Sequence, residues 1–318
     1  MVNTPVTLLE NPQLYGALFL VGGFQRTPLI NLMGSISGGR TRQIGGLEYV
    51  EGVEWSLDAP SLSNLRSEQQ SIVGPPDFTP TTRTQSTNTV SYFDYPVFVS
   101  EQAIAAQRWI DVTNTSSRVD LTQQDPGISL LQFEIQKQML QIATDFEKLV
   151  LDGVYTKSTG KAVAPQTGGF VELLTADAYD VSAPIDRDKF EAGLKEMFDA
   201  GASMSNLILF VGARCKQILS KLYGYAPMDR NIGGVNIKQL EVDLVGNLPI
   251  VVLPKLSTKM IILNMDLPKP VVFPMPKGVL YFEELAKVGT AINGHIYGAL
   301  GVDRGIAAEH KMYINCTV

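Results

Sequence analysis

His295 and His310 are the two histidines of the chain, so a histidine general base or metal ligand would have to be one of them. They lie fifteen residues apart in a stretch that reads as strand. Glu309 directly precedes His310. Adjacent side chains on a strand point to opposite faces, so this pair does not make a base with its orienting carboxylate. Both histidines are read as structural. Cys215 and Cys316 are the two cysteines, and no CxxC spacing occurs. That pattern excludes a thiolate zinc site and a disulfide scaffold, and it fits a reducing compartment. Asp180, Asp186 and Asp188 cluster ahead of a helical pattern, where capping is a simpler role than calcium binding. The stretch GGRTRQIGG (38–46) has the composition of a phosphate cradle. It lacks the buried strand before it and the helix after it that make such loops bind anions. No GxSxG, GxxxxGK[ST] or HExxH occurs. No catalytic residue, cofactor or metal is therefore expected.

The elements that would position any chemistry are more informative. Of the 318 residues, 45% are hydrophobic and 18% charged, enough for a substantial core. A net charge of −6 argues against a nucleic-acid binder, which needs a basic surface to neutralise phosphates. The apolar stretch 14–24 is too short to span a bilayer and contains three glycines. With no basic n-region ahead of Arg26, the chain reads as soluble and cytoplasmic. Charge is unevenly partitioned. Residues 1–136 carry seven Arg, thirteen acidic residues and no Lys, and all fifteen Lys follow.

Residues 1–43 have poor periodicity and read as an extended arm whose apolar side chains must dock on a neighbour or on the body. Residues 44–58 alternate Leu47, Tyr49, Val53 and Trp55 against polar residues, a half-buried strand with a slip near Gly52. Residues 79–89 hold six threonines and form a strand polar on both faces. Such a strand cannot contribute to its own domain's core, which suggests a projecting hairpin. Asp125-Pro126-Gly127 then opens a long helix with Ile128, Leu131, Ile135, Met139, Ile142, Phe146 and Leu149 on one stripe. Gly153 closes it in the position of a C′ glycine. A helix at 186–201 turns Phe190, Leu194, Met197 and Phe198 inward. A buried strand NLILFVG, a helix ARCKQILSKLYG and a strand-rich tail complete an α+β chain.

This order of elements resembles the major capsid proteins of tailed bacteriophages, which have the Hong Kong 97 fold. The arm, the polar hairpin and the long helix ending in DFEKLVLDG carry the resemblance, which covers the whole chain. It implies an N-terminal arm at 1–43, an extended loop (E-loop) at 44–95 and a peripheral domain with its spine helix at 96–152. It further implies an axial domain at 153–270, and return strands of the peripheral domain at 271–318. It implies a structural subunit that self-assembles into an icosahedral shell around DNA in the virion, assembled in the host cytoplasm. Portal, scaffolding and decoration proteins are the further partners it implies, with no membrane. An arm that begins at Met1 leaves no room for a fused scaffolding domain. Two alternatives stand beside this: an encapsulin-like compartment enclosing cargo enzymes, and an uncharacterised α+β enzyme.

Some shells of this fold lock by an isopeptide bond between an E-loop lysine and a neighbour's asparagine. No lysine precedes Lys137, so this shell is expected to be held without covalent links. The candidate contacts between subunits are the arm residues Leu18, Phe19, Leu20 and Phe24, and Arg40 and Arg42 facing Glu48, Glu51 or Glu54 of a neighbour.

Overall fold

The computed structural model describes residues 27–34, 40–55, 83–103, 126–160, 162–182, 184–223, 229–232, 235–286 and 289–316. Helix α1 (Pro28–Met33) is followed by β1 (Arg42–Gln43), β2 (Glu48–Trp55), β3 (Arg83–Thr89) and β4 (Ser91–Ser100). Helix α2 (Pro126–Asp152) leads to α3 (Phe170–Leu174), β5 (Tyr179–Asp180), α4 (Arg187–Asp199), β6 (Leu207–Val211) and α5 (Ala213–Leu222). Then come β7 (Asp229–Ile232), β8 (Val235–Val242), β9 (Gly246–Val252), β10 (Met260–Asn264) and β11 (Lys269–Val272). Strands β12 (Leu280–Glu284), β13 (Ala291–Asp303) and β14 (His310–Ile314) finish the chain. No described helix is long and apolar enough to cross a membrane.

Helix α2 has the expected bounds and 27 residues, a beam of about 40 Å. Leu131, Ile135, Met139, Ile142 and Phe146 are buried along it, while Phe133 on the other side is 61% exposed. The buried stripe lies on β4 and α3. Gly153 ends the helix for a reason other than the expected left-handed turn. Its φ is not positive, but an added Cβ would lie 2.3 Å from the Thr167 carbonyl. Close approach of backbone, not conformational freedom, requires glycine here.

Two sheets share the core. In the seven-stranded sheet the order is β5-β14-β10-β6-β9-β8-β7. One face, with Ile208, Phe210, Ile261 and Met312, packs toward α2 and α3. The opposite face, with Leu209, Val211, Ile262 and Tyr313, packs on α4 and α5. That double coverage is why LILFV is buried at every position. In the five-stranded sheet, β13 is the shared strand. It pairs with β4 along one edge and with β12 and then β11 along the other; β1 adds parallel to β11. Residues 271–318 therefore do not all return to the long helix's own sheet. Strand β14 joins the seven-stranded sheet beside β10, because its alternating Met312 and Tyr313 can fill both cores at once.

Helix α4 is capped as the sequence suggested, with Asp186 accepting from the Lys189 N–H at 2.8 Å. Phe190, Leu194 and Met197 are buried, but Phe198, expected inward, is 55% exposed because it falls one position past the stripe. The segment expected as an extended arm contains a short helix. Pro28 starts α1, Gly34 closes it in the left-handed region (φ 98°), and Leu29, Ile30 and Met33 enter the main core.

Glu147 of α2 is the buried charge beneath this segment, accepting from the Ile30 N–H at 3.5 Å. Burial pushes its carboxyl up to about 8, opposed by backbone N–H groups of α1 and by the Lys255 ammonium. The protonated form is thus favoured by folding. Stability from this group is complete below the ordinary carboxylate range and is lost as pH rises toward 8. Glu147→Gln should flatten that loss, making the variant more stable than the parent by a few kcal/mol at pH 8 and little different at pH 4. Urea midpoints across that range check it; parallel pH profiles would remove the assignment.

Candidate assembly site

The hairpin and its root form the candidate site. Among the described residues, strands β2 and β3 pair only with each other, in a sheet separate from the two larger ones. Arg83, Thr84, Gln85, Ser86 and Thr87 are all exposed, so this part of β3 is polar and uncovered on both faces, as expected. A register shift at Val50/Gly52 is the slip expected near Gly52. Tyr49 and Glu51 are buried on the face that they share by ordinary alternation, while Val53 beyond the shift and Leu47 before the strand, both expected to be buried, are each 36% exposed.

Glu51 meets Arg304, from the link between β13 and β14. Arg304 Nη2 donates to Glu51 Oε2 at 2.6 Å and its Nε donates to Oε1, a two-pronged pair. The Glu51 side chain is fully inaccessible and that of Arg304 nearly so. Arg304 Nη1 donates to the Gly169 carbonyl at 2.9 Å and pairs with Glu172 at 3.2 Å. Burial raises the Glu51 carboxyl above its usual range, and the Arg304 guanidinium works against that rise. The guanidinium shapes the local backbone too: a Cβ at Gly168 would lie 2.8 Å from Arg304 Nη1 and 2.2 Å from Glu172 Oε2.

Neighbouring groups complete the root. Tyr49 Oη donates to the Val302 carbonyl at 2.5 Å. Asn88 of β3 accepts from the Gly168 N–H at 2.8 Å and donates to the Val302 carbonyl at 3.0 Å. His310 is buried and neutral. Its Nδ1 accepts from the Asn264 N–H at 3.1 Å and its Nε2 donates to the Arg304 carbonyl at 2.8 Å. Burial lowers its pKa to about 4. It is structural, as expected, and it holds the backbone of Arg304. Among the described residues no group of His, Cys, Asp and Glu could hold a metal ion.

The expected contact residues separate into three sets. Leu18, Phe19, Leu20 and Phe24, and the side chain of Glu54, lie outside the described residues. Glu51 is corrected: it is buried against Arg304 of its own chain and cannot reach a neighbour's arginine. Arg40, Arg42 and Glu48 are at the surface but already have partners. Arg40 donates to the carbonyls of Met265 at 2.6 Å and Asp266 at 2.8 Å. Arg42 pairs with Asp303 at 3.1 Å, and Glu48 with Lys157 at 3.1 Å. Arg304, Glu172 and Asn88 were not anticipated. The available signal was an arginine at the end of an apolar strand, in GALGVDRG, followed by Gly305 at φ 76°.

The outer face of β4, β13 and β12 is aromatic. Tyr92 stacks on Tyr297 at 6.0 Å, and Tyr281 meets Tyr297 edge-on at the same separation. His295 lies 2.9 Å from Asp94 on this face, and Phe98 is 62% exposed. The His295 ring lies between two carboxylates, with Glu283 3.8 Å from its Nε2.

The profile of the SU10 major capsid protein family matches residues 2–317. The chain belongs to this family. It is a major capsid protein, a structural subunit of a phage shell with its place in the virion capsid. No curated protein matches it. In fold it is similar to the capsid of cyanophage A-1(L), at 13% identity and a TM-score of 0.58, covering 92% of this chain and 93% of that one. It is also similar to Mycobacterium phage Patience, at 9% identity and a TM-score of 0.51, covering 96% and 86%. The SrpI encapsulin of Synechococcus elongatus PCC 7942 is similar at 8% identity and a TM-score of 0.52, covering 87% and 84%. The fold is thus the Hong Kong 97-like one that the sequence resembled. The family match places the capsid protein ahead of the encapsulin and enzyme alternatives, and it implies self-assembly into a shell.

Proposed function

We propose that this capsid protein builds the icosahedral head of a tailed bacteriophage, enclosing packaged DNA without reading its sequence. The β2–β3 ribbon carries the reading. A polar strand with five successive exposed residues has no use within its own body, but it suits a loop lying over a neighbouring subunit. Residues 44–95 are accordingly the E-loop and α2 the spine of the peripheral domain. The seven-stranded sheet belongs to the axial domain, whose loops meet around hexamer and pentamer axes. The aromatic outer face of β4, β13 and β12, with Phe98 exposed at its edge, has the chemistry to receive a neighbour. Arg42, 48% exposed, remains open to a neighbour's carboxylate such as Glu54. Portal, scaffolding and decoration proteins complete the head, assembly takes place in the host cytoplasm, and no catalytic step is involved.

Negative-stain microscopy of the expressed chain, with nuclease protection of particles from infected cells, tests the reading. Closed shells and protected DNA are expected. A chain that stays monomeric at high concentration overturns shell formation, and particles holding protein cargo without DNA favour a nanocompartment. Because residues 44–95 contain no lysine, mature particles boiled in detergent should run as one band near 34.7 kDa. A ladder that survives reduction would place another nucleophile in the loop.

A further inference from the structure

We propose that the open edge of β4 takes up an extended, lysine- or arginine-bearing segment of another protein as an added strand. Among the described residues β4 has one strand partner, β13, along its whole length. The Phe273 N–H donates to the Ala299 carbonyl and the Leu285 N–H to the Asn293 carbonyl, so Ala299 and Asn293 turn their backbone groups away from β4. Tyr92 and Phe98 lie opposite them and therefore point their own N–H and C=O off the sheet. Asp94 and Pro96 share that side by alternation. Pro96 thus stands where no ladder hydrogen bond is lost, the position that proline takes on edge strands. Tyr92 and Asp94 are exposed, so a partner can approach their backbone groups.

A groove of about 490 Å³ lies beside this edge. Tyr92, Phe93, Asp94 and Tyr95 form one side of it, and Asp145, Leu149 and Asp152 of α2 form the other. A strand edge beside a helix can seat an extended segment: main-chain hydrogen bonds to the edge give affinity, and the groove selects side chains. Charge decides the occupant. Three carboxylates, those of Asp94, Asp145 and Asp152, line the groove against the one ammonium of Lys148 among the described residues. Lys255 is nearby but is tied to the Thr144 carbonyl at 2.7 Å. Asp145 is already held in place, accepting from Tyr95 Oη at 2.5 Å and from Gln141 Nε2 at 2.9 Å, so an incoming cation need not order it. The edge of a second copy is the wrong occupant, because its own Asp94 would meet these carboxylates. Pro96 also interrupts the donors after Tyr92 and Asp94, which guards the edge against pairing with its like. The groove is complete in one subunit, so the site does not depend on shell formation.

The test uses the full-length protein and three short synthetic peptides: alternating lysine and valine, alternating glutamate and valine, and the lysine peptide with every backbone nitrogen methylated. Amide exchange followed by NMR is the readout. The lysine peptide should slow exchange at Tyr92 and Asp94 by about tenfold or more, and leave Phe98, beyond Pro96, unchanged. The glutamate peptide should bind about tenfold more weakly. The methylated peptide keeps its charge but has no N–H to donate, and it should give no protection. Asp152→Lys, a change at the surface, should weaken the lysine peptide without altering exchange elsewhere. Four results would overturn the proposal: no slowing at Tyr92 and Asp94, equal protection by the glutamate or methylated peptide, protection on β2 or β3 instead, or Tyr92 and Asp94 amides that assembly alone protects, which would make a neighbouring copy the occupant.

Discussion

Replacing Arg304 with alanine should destabilise the subunit by about 3–5 kcal/mol, because it strands Glu51 in a site that water does not reach. The same change releases the Gly169 carbonyl and Glu172 from their shared donor. With the guanidinium gone, nothing offsets the burial that already raises the Glu51 carboxyl. The residue would take up a proton, so the variant should lose stability as pH rises above the ordinary carboxylate range. Pairing Arg304→Met with Glu51→Leu should recover most of the loss, because apolar side chains of similar volume remove both buried charges. Urea unfolding of the purified subunit measures all three variants. A cost below about 1 kcal/mol for Arg304→Ala would mean the pair behaves as an exposed bridge, and the root of the hairpin is held by something else.

The second large effect separates two deletions that differ by a few residues. Removing residues 1–34 takes α1 out of the core, with Leu29, Ile30 and Met33 all 1% exposed or less. At about 1.5–3 kcal/mol for each buried side chain, the loss is about 5–9 kcal/mol, comparable to a domain's whole stability. That truncation should be insoluble or unfolded. Ending the deletion at residue 26 keeps α1 and the groups that cover Glu147, so the subunit should stay soluble, and its assembly alone should suffer. Soluble yield and circular dichroism distinguish the two. Equal folding of both truncations would show that α1 is dispensable to the core.

The long helix was legible in the sequence with its bounds because three independent signals agree there. Asp-Pro-Gly opens it, the apolar stripe runs through seven turns, and Gly153 stops it. Helix α1 was not legible, since six residues carry less than two turns of periodicity. The slip near Gly52 was readable, but its consequence was not. One extra residue turns Val53 beyond it outward, and the burial of the Glu51 carboxylate could be recognised only beside Arg304, 253 residues away. The placement of β14 was hidden too, since its partners β10 and β5 are set by which of two cores has room for Met312 and Tyr313. His310 was correctly taken as structural, but its work in fixing the Arg304 carbonyl depends on a contact across a turn that spacing does not reveal. Leu18, Phe19, Leu20 and Phe24 remain expectations for the assembled shell.

The threefold pairing of β13 sets the order in which this molecule can become itself. Its longest partnership joins Ser91 to Leu300, and β1 must wait for β11, so the body is dominated by contacts of high sequence separation. Chains of that kind fold slowly, since the loop between partners must be closed before any pairing rewards it. During synthesis β4 and the hairpin emerge long before the strand that receives them. Glu51 is without its guanidinium until the ribosome has nearly finished. An incomplete chain therefore cannot fix the angle at which its hairpin leaves the body. On the proposed role of the hairpin as an E-loop, only full-length subunits would present it correctly, so the topology would withhold assembly from unfinished chains.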